Sequence, residues 1–122
     1  MKITLEGVPR STNHIYKFFR SRMYVSAAGK ALKRSYQLQA KLQFGNIPLI
    51  TNPIALEIIL YFGDKRRRDI DNYNKILLDS MSGIVYKDDA QIQKLTIIKQ
   101  YDKKRPRIEI VIHEAAQSSD LH

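Results

Sequence analysis

Two acidic clusters in the sequence carry the side chains that a phosphodiester-cleaving site needs. In the first, Asp69 and Asp71 follow three consecutive arginines and precede Lys75, and the second is the pair Asp88-Asp89. Mg²⁺ binds to a few carboxylate oxygens and keeps several of its waters. A bound cation lowers the pKa of such a water and stabilises charge on a phosphate, a nearby lysine orients the nucleophile, and arginines hold phosphates. If folding brings the two clusters together, they therefore indicate a metal-dependent nuclease.

The same residues also admit a purely structural interpretation. Asp69 or Asp71 could cap the helix that begins near them, and Asp71 could form an i,i+4 ion pair with Lys75. The run Arg66 to Arg68 could be solvated, and Asp88-Asp89 could be an ordinary turn. Each residue taken alone favours the structural interpretation. Taken together, the residues leave the structural and the catalytic interpretations open.

Other catalytic chemistries lack their residues in this chain. The absence of cysteine excludes disulfide scaffolds, thiolate zinc sites and cysteine nucleophiles. The three histidines, His14, His113 and His122, are scattered along the chain without metal-ligand spacing. Neither a glycine-rich phosphate loop nor a nucleophile elbow occurs. The acidic clusters are therefore the main candidates for chemistry.

The charge of the chain favours a polyanionic partner. Its 122 residues include 21 Lys and Arg against 12 Asp and Glu, which gives a net charge of +9. No acidic residue occurs between Glu6 and Glu57, whereas eight basic residues do. Phosphates that such a segment neutralises release counterions, so nucleic acid is the predicted partner. A membrane surface is less favoured, because no segment pairs a basic face with a strongly apolar face.

Length and hydropathy predict one small domain in the cytoplasm. A chain of this length builds a single modest core. No apolar run approaches the ~20 residues that a helix needs to cross a bilayer, and the N-terminus has no secretory-signal pattern. We expect a single domain over residues 1–114 and a polar, disordered tail over residues 115–122.

Hydrophobic periodicity predicts an α+β domain of two layers, with two main helices on one face of a small mixed sheet. The predicted strands are Lys2–Gly7, a strand starting at Pro53, and a hairpin formed by Leu95–Gln100 and Arg107–Ile112; residues Ile15–Val25 are expected to be a strand-like or irregular arm. The first helix is expected from the N-cap Ser26 to about Phe44, with Leu38 and Leu42 broadening its apolar stripe. The second is expected from about Asn72 to Met81.

The clusters and the segment before the first helix resemble the RusA family of Holliday junction resolvases. The resemblance rests on RRRDIDNxxK (Arg66–Lys75) and DDAQI (Asp88–Ile92), preceded by Asn13 and by YVSAxG (Tyr24–Gly29). It extends from about Ile3 to Ile112 and is far more specific than a lone D-x-D. The chain departs from the family in one loop, which reads PRSTN where the family often has PPSNN.

The resemblance implies a Mg²⁺-dependent homodimeric endonuclease, often phage- or prophage-encoded, that makes paired symmetric nicks in four-way DNA junctions. By motif position, Asp69, Asp71 and Asp89 would be the catalytic, metal-binding carboxylates, holding one or two Mg²⁺ ions per site. Lys75 would be the essential base, and Asp88 would be their neighbour without an assigned role. The side chains expected to contact DNA are Asn13, Lys17, Arg20, Arg22, Lys30, Arg66, Arg67 and Arg68. Because a four-way junction has approximate two-fold symmetry and needs two cuts, a C2 homodimer is expected.

Two other functions fit the same residues. A non-catalytic basic DNA- or RNA-binding module would use the acids as caps and ion pairs, and would show salt-dependent binding without a metal requirement. A metal nuclease acting on flaps or other branched DNA would share the acidic site. A phage structural or adaptor protein is a third, non-enzymatic alternative.

Overall fold

The computed structural model describes residues 1–11 and 16–114, and for residues 16–19 it describes the backbone only. Asn13 and the predicted tail of residues 115–122 therefore lie outside the described residues. The elements in chain order are β1 (Lys2–Glu6), β2 (Tyr16–Phe19), β3 (Arg22–Val25), α1 (Ala27–Phe44), β4 (Ile54–Phe62), α2 (Asn74–Met81), β5 (Ile92–Tyr101) and β6 (Arg107–Glu114). Two short 3₁₀ turns, Ile70–Asn72 and Asp89–Gln91, precede α2 and β5. A mixed four-stranded sheet with two helices confirms the predicted α+β class.

Strand β4 lies inside the sheet, whose strand order is β1-β6-β4-β5. It is the strand that was predicted to start at Pro53, and its residues alternate strictly between buried and partly buried positions from Ile54 to Phe62. It pairs in parallel with β5 and antiparallel with β6. The core forms on the face that carries Leu56, Ile58 and Leu60, all at most 2% exposed.

The predicted β5–β6 hairpin is wrong, because β4 lies between the two strands. The connection between them crosses the carboxyl end of β4, where the Asp102 amide donates to the Phe62 carbonyl at 2.8 Å. A direct hairpin would have left the most apolar strand at an edge of the sheet. Because β4 has a neighbouring strand on each side, its backbone groups are hydrogen-bonded and removed from water. The free energy gained by this burial exceeds the advantage of a short loop between β5 and β6.

Helix α1 has the predicted start and end. The Ser26 hydroxyl accepts a hydrogen bond from the Gly29 amide at 3.0 Å, as an N-cap does. The buried face of the helix carries Tyr36, Ala40 and Phe44, which are spaced by four residues.

The prediction that Leu38 and Leu42 widen the apolar stripe of α1 is wrong: they are 58% and 79% exposed. At about 100° per residue, each lies roughly 200° around the helix from the buried residue two positions before it. The two leucines therefore face away from the sheet.

Glutamines of α1 complete the outer edge of β1. The Thr4 amide donates to Gln43 Oε1 at 2.9 Å, and Gln43 Nε2 donates back to the Thr4 carbonyl at 2.7 Å. The Glu6 amide donates to Gln39 Oε1 at 2.8 Å. Side chains thus replace the backbone partners that an edge strand lacks.

Two ion pairs, which we call the edge ion pairs, fasten the turn between β5 and β6. Arg105 pairs with Glu6, and Arg107 pairs with Asp102 at 2.8 Å. These contacts lower the pKa of the Glu6 and Asp102 carboxyls, chiefly through the hydrogen bonds that the two arginines donate.

The predicted arm before α1 is an antiparallel hairpin of β2 and β3, separate from the main sheet. Its two-residue turn, Arg20-Ser21, has positive φ angles of 51° and 63°. Left-handed conformations at both central positions match the twist of the flanking strands.

Candidate active site

A cavity of about 430 Å³ lies between α2 and the two 3₁₀ turns. Its lining residues are Asp71, Asn72, Asn74, Lys75, Leu78, Asp79 and Asp89. Folding has thus brought Asp71 and Lys75 from the first acidic cluster together with Asp89 from the second. Carboxylate and amide oxygens predominate among the polar groups, and these are the ligands that hard cations prefer.

The buried face of α2 orients the cavity side chains. Tyr73 packs edge-on against Phe62, with ring centroids 5.3 Å apart, and Ile76 and Leu77 are 1% exposed. These residues hold one side of the helix against the sheet. Lys75 lies on another side, with 47% of its side chain exposed at the cavity.

Asp88 and Asp89 have different roles despite being neighbours. Asp88 Oδ1 accepts a hydrogen bond from the Ala90 amide, and the Asp88 amide donates to Gln91 Oε1 at 2.7 Å, which forms a capping box. Gln91 Nε2 in turn donates to the Ile50 carbonyl at 2.8 Å. Asp88 thus fixes the turn from which Asp89 reaches the cavity.

Asp79 is a cavity carboxylate that the sequence analysis missed. Its Oδ2 lies 3.9 Å from the Lys75 ammonium, and its side chain is 32% exposed. The available signal was its position one helical turn after Lys75, which places both side chains on the same side of α2. The motif spacing pointed instead to Asp71 as the partner of Lys75.

Asp69 does not line the cavity. It stands at the start of the Ile70–Asn72 turn, where its carbonyl accepts from the Asn72 amide at 3.2 Å, and its side chain makes no capping bond. The alternative that Asp69 or Asp71 caps the second helix by its side chain is wrong, since Tyr73 occupies that position. Within residues 1–11 and 16–114, no three acidic, histidine or cysteine side chains converge closely enough to form a metal site by themselves.

The buried Tyr86 lies next to the acidic residues of the cavity. Its hydroxyl donates to the Leu78 carbonyl at 2.8 Å, and its ring is fully buried. Burial raises the pKa of the Tyr86 hydroxyl, and the charges of Asp89, Asp79 and Asp88 raise it further. Tyr86 therefore stays protonated and acts as a donor beneath the cavity.

Comparison with known proteins decides the family. The model of the family described as Endodeoxyribonuclease RusA matches residues 6–113. The crossover junction endodeoxyribonuclease RusA of Escherichia coli K12 is 33% identical over 107 residues, which are 87% of this chain and 88% of that protein. The proteins of the same name from Shigella sonnei and from Enterobacteria phage 82 are both 32% identical over the same share.

This chain belongs to the RusA family. The predicted resemblance is confirmed, and so is the enzyme class, an endodeoxyribonuclease. The cavity is lined by four residues of the RusA motifs, Asp71, Asn72, Lys75 and Asp89. Among the residues described, no helix is both long and apolar enough to cross a membrane.

The three arginines of the RusA motif have three different environments. Arg66 is exposed and lies 3.5 Å from Asp64. Arg67 is exposed, and in the described part of the chain it has no hydrogen-bond or ion-pair partner. Only 16% of the Arg68 side chain is exposed; its guanidinium stacks 4.2 Å from the Phe62 ring and bonds to Asp64 Oδ1 at 2.7 Å. Of the three, Arg67 is thus the arginine whose side chain is held least.

The remaining predicted DNA contacts of this RusA-family chain lie on other elements. Arg20 and Arg22 are exposed in the β2–β3 hairpin, and Lys30 is exposed in the first turn of α1. The backbone of Lys17 is in β2, and its side chain is outside the described set. None of these three exposed residues lines the cavity.

Proposed function

We propose that the chain is a Mg²⁺-dependent endonuclease that resolves four-way DNA junctions by paired symmetric nicks. The observation that carries this proposal is the cavity that joins Asp71, Lys75 and Asp89 in a chain of the RusA family. The related proteins are named crossover junction endodeoxyribonucleases, and their chains match this one over most of their length. The net charge of +9 suits a polyanionic substrate.

The donors present in the cavity fit Mg²⁺. Asp71 and Asp89 supply carboxylate oxygens, and Asn72 and Asn74 add amide oxygens. Mg²⁺ commonly uses one or two protein carboxylates together with waters and substrate phosphates, so Asp71 and Asp89 suffice for such a site. When bound, the cation supplies an activated water and neutralises charge on the phosphate. Asp69 is a third proposed ligand on motif position alone.

Lys75 is the proposed cationic catalyst. Its ammonium can only donate hydrogen bonds, so it stabilises a phosphate oxygen on which negative charge grows, or it orients the attacking water. Asp79, 3.9 Å away, holds this ammonium at the cavity. Arg66 and Arg67 hold the phosphate backbone of the DNA arms. The basic side chains of the β2–β3 hairpin and of α1 do the same.

A second copy of the chain completes the proposed enzyme. A four-way junction has approximate two-fold symmetry and requires two cuts, whereas each chain supplies one cavity with Asp71 and Asp89. A C2 dimer places two such cavities in symmetric positions, so that strands of like polarity are nicked.

Junction cleavage by matched aspartate variants tests the proposal. End-labelled four-way junctions, duplexes, flaps and single strands are incubated with Mg²⁺ or with EDTA. We expect symmetric Mg²⁺-dependent nicks in junctions only, lost in Asp71→Asn and Asp89→Asn proteins that still bind the junction. Asp88→Asn is the control, because asparagine also caps a turn and this side chain is already engaged in the capping box.

Two results would contradict the proposal. Tight, salt-sensitive binding without cutting in any divalent cation would favour a non-catalytic binding module. Equal cutting of flaps and junctions would favour a nuclease for branched DNA in general. Loss of cleavage in Asp88→Asn protein with an unchanged melting temperature would show that the roles of the two neighbouring aspartates are not divided as argued.

A further inference from the structure

A second pocket, of about 280 Å³, lies at the carboxyl ends of the parallel strands β4 and β5. It is lined by Phe62, Asp64, Lys65, Arg66, Arg68, Lys99, Gln100 and Tyr101. Four cationic side chains thus share this pocket with a single carboxylate. We refer to it as the cationic pocket. It shares no lining residue with the cavity of Asp71 and Asp89.

The one carboxylate of the cationic pocket is already engaged by the arginines. Asp64 Oδ1 accepts hydrogen bonds from the Arg66 amide at 3.0 Å and from Arg68 at 2.7 Å, and Asp64 Oδ2 lies 3.5 Å from the Arg66 guanidinium. These bonds lower the pKa of Asp64, with the Arg66 amide making the largest contribution. Asp64 therefore stays ionised and serves to fix the arginines.

Unlike the two arginines, the two lysines of the cationic pocket are not paired with a carboxylate of the described residues. Lys65 lies 5.2 Å from the centre of the Tyr101 ring, and the Lys99 ammonium donates to the Arg68 carbonyl at 3.3 Å. Among the described residues, no carboxylate lies within 4.0 Å of either ammonium. Tyr101 itself is 46% exposed. The pocket thus presents two held, uncompensated cations beside an exposed aromatic ring.

Phe62 links the cationic pocket to the active-site cavity. Arg68 stacks on this ring from the pocket side at 4.2 Å, and Tyr73, which lies between two cavity residues, packs against it edge-on. Three peptide steps separate Arg68 from Asp71, so their Cα atoms are at most about 11 Å apart. That distance is roughly the rise of three base pairs along a duplex. A DNA arm held at the cavity can therefore also reach the pocket.

We infer that the cationic pocket binds one backbone phosphate of the DNA arm, a few nucleotides from the phosphate that is cut, with Lys65 and Lys99 as its ligands. The inference rests on the proposed DNA substrate. A phosphate oxygen accepts charge-assisted hydrogen bonds from both ammonium groups, and the Tyr101 ring and the Arg68 carbonyl position Lys65 and Lys99 before DNA arrives. Contacts of this type set the position of the arm and carry no base sequence.

Junction binding in EDTA, where no cleavage intervenes, tests the inference with Lys99→Gln and the matched control Lys94→Gln. Both lysines are exposed on β5, but they are five residues apart and point to opposite faces of the sheet. Lys99→Gln should lower the slope of log affinity against log salt by about 0.9. The ratio of wild-type to Lys99→Gln affinity should therefore fall about 3.5-fold between 50 and 200 mM salt. Lys94→Gln should keep the wild-type slope. Lys65→Gln, with melting curves for all variants, provides a second measurement should Lys99→Gln fold poorly.

A methylphosphonate scan of the junction arm identifies the phosphate. One neutral linkage within about four nucleotides of the cut should weaken binding of the wild type and of Lys94→Gln more than binding of Lys99→Gln, because that variant has already lost one of the two lysine contacts. The inference is overturned if no neutral linkage affects Lys99→Gln differently from the wild type and Lys94→Gln. It is also overturned if Lys99→Gln and Lys94→Gln change the salt slope equally. Binding of inorganic phosphate to Lys99 below about 1 mM without DNA would also overturn it, by making the pocket a site for free phosphate.

The outcome for the cationic pocket is independent of the outcome for the proposed function. If the wild type cuts junctions with Mg²⁺ while Lys99→Gln binds with an unchanged slope, only the pocket inference fails. If the wild type cuts nothing while Lys99→Gln still loses one phosphate contact, only the proposed function fails.

Discussion

Replacing Arg68 by glutamine should destabilise the fold, whereas the same change at the adjacent Arg67 should not. Arg68 bonds to Asp64 at 2.7 Å, donates to two backbone carbonyls at 3.2 Å and stacks 4.2 Å from the Phe62 ring. Arg67 is exposed and makes none of these contacts. The two variants remove the same charge from neighbouring positions, so their difference isolates what the contacts of Arg68 contribute.

The contacts of Arg68 set the expected magnitude. The Asp64 side chain is 47% exposed, so the ion pair is screened and contributes at most about 1 kcal/mol. The cation–π contact with Phe62 adds about 0.5–1 kcal/mol. We therefore expect Arg68→Gln to lower the free energy of unfolding by about 1–2 kcal/mol, which corresponds to about 4–8 °C in Tm for a chain of this length. Arg67→Gln should stay within about 0.5 kcal/mol of the wild type.

Thermal melting combined with DNA binding measures both arginines. Arg67→Gln should keep the wild-type Tm. Its slope of log affinity against log salt should fall by about one unit, as expected for the loss of one phosphate contact. Asp64→Asn should couple to Arg68→Gln, so that the double variant loses less stability than the two single losses added together. Equal Tm values for the two arginine variants, or strict additivity of the double variant, would refute this account of the Asp64–Arg68 frame.

Three further predictions concern the cavity and the edge of the sheet. Asp79→Asn should slow cleavage at least about tenfold, because Lys75 is no longer held in place, while changing stability by less than about 0.5 kcal/mol; a wild-type rate in single-turnover cleavage would contradict it. Tyr86→Phe should cost about 1 kcal/mol in chemical denaturation, because the hydroxyl bond to the Leu78 carbonyl is lost, and an unchanged midpoint would contradict it. Because the edge ion pairs lower the pKa of their carboxyls in the folded state, their stabilisation is present above about pH 4 and is lost as the pH falls through the lowered values. Tm should therefore fall from pH 5 to pH 3, and less steeply in Glu6→Gln protein; identical acid slopes would exclude this origin.

Local patterns in the sequence predicted the elements that depend on one segment of chain. The alternation of β4 and the Ser26 cap of α1 are readable because the residues that decide them are neighbours in sequence. The pairing of β5 and β6 was not readable in the same way. It depends on whether β4 enters between them, and this is decided by burial across the whole sheet, which a short turn in the sequence does not report.

The candidate site was predicted in part for a related reason. The motif residues Asp71, Lys75 and Asp89 share the cavity, although they come from two separate segments. Asp79 was missed because an acid one turn along a helix from a lysine is usually only a surface pair. The role of Asp79 depends on the cavity that it lines. This cavity forms only when the segment that carries Asp89 has folded against α2.

Two pairs of identical neighbours, Asp88-Asp89 and Arg67-Arg68, explain why residue type alone could not divide structural from functional roles. In each pair one side chain is engaged in hydrogen bonds within the protein, and the other is left for the cavity or for solvent. The engaged member fixes the backbone from which its neighbour projects. Asp88 could have been assigned from the sequence, since glutamine three residues later signals a capping box. Arg68 could not, because its partners are the ring at the end of β4 and a carboxylate whose position depends on that strand. The clustered charges of this chain thus form both a structural frame and a site, and substitutions in the frame should lower stability before they weaken DNA binding.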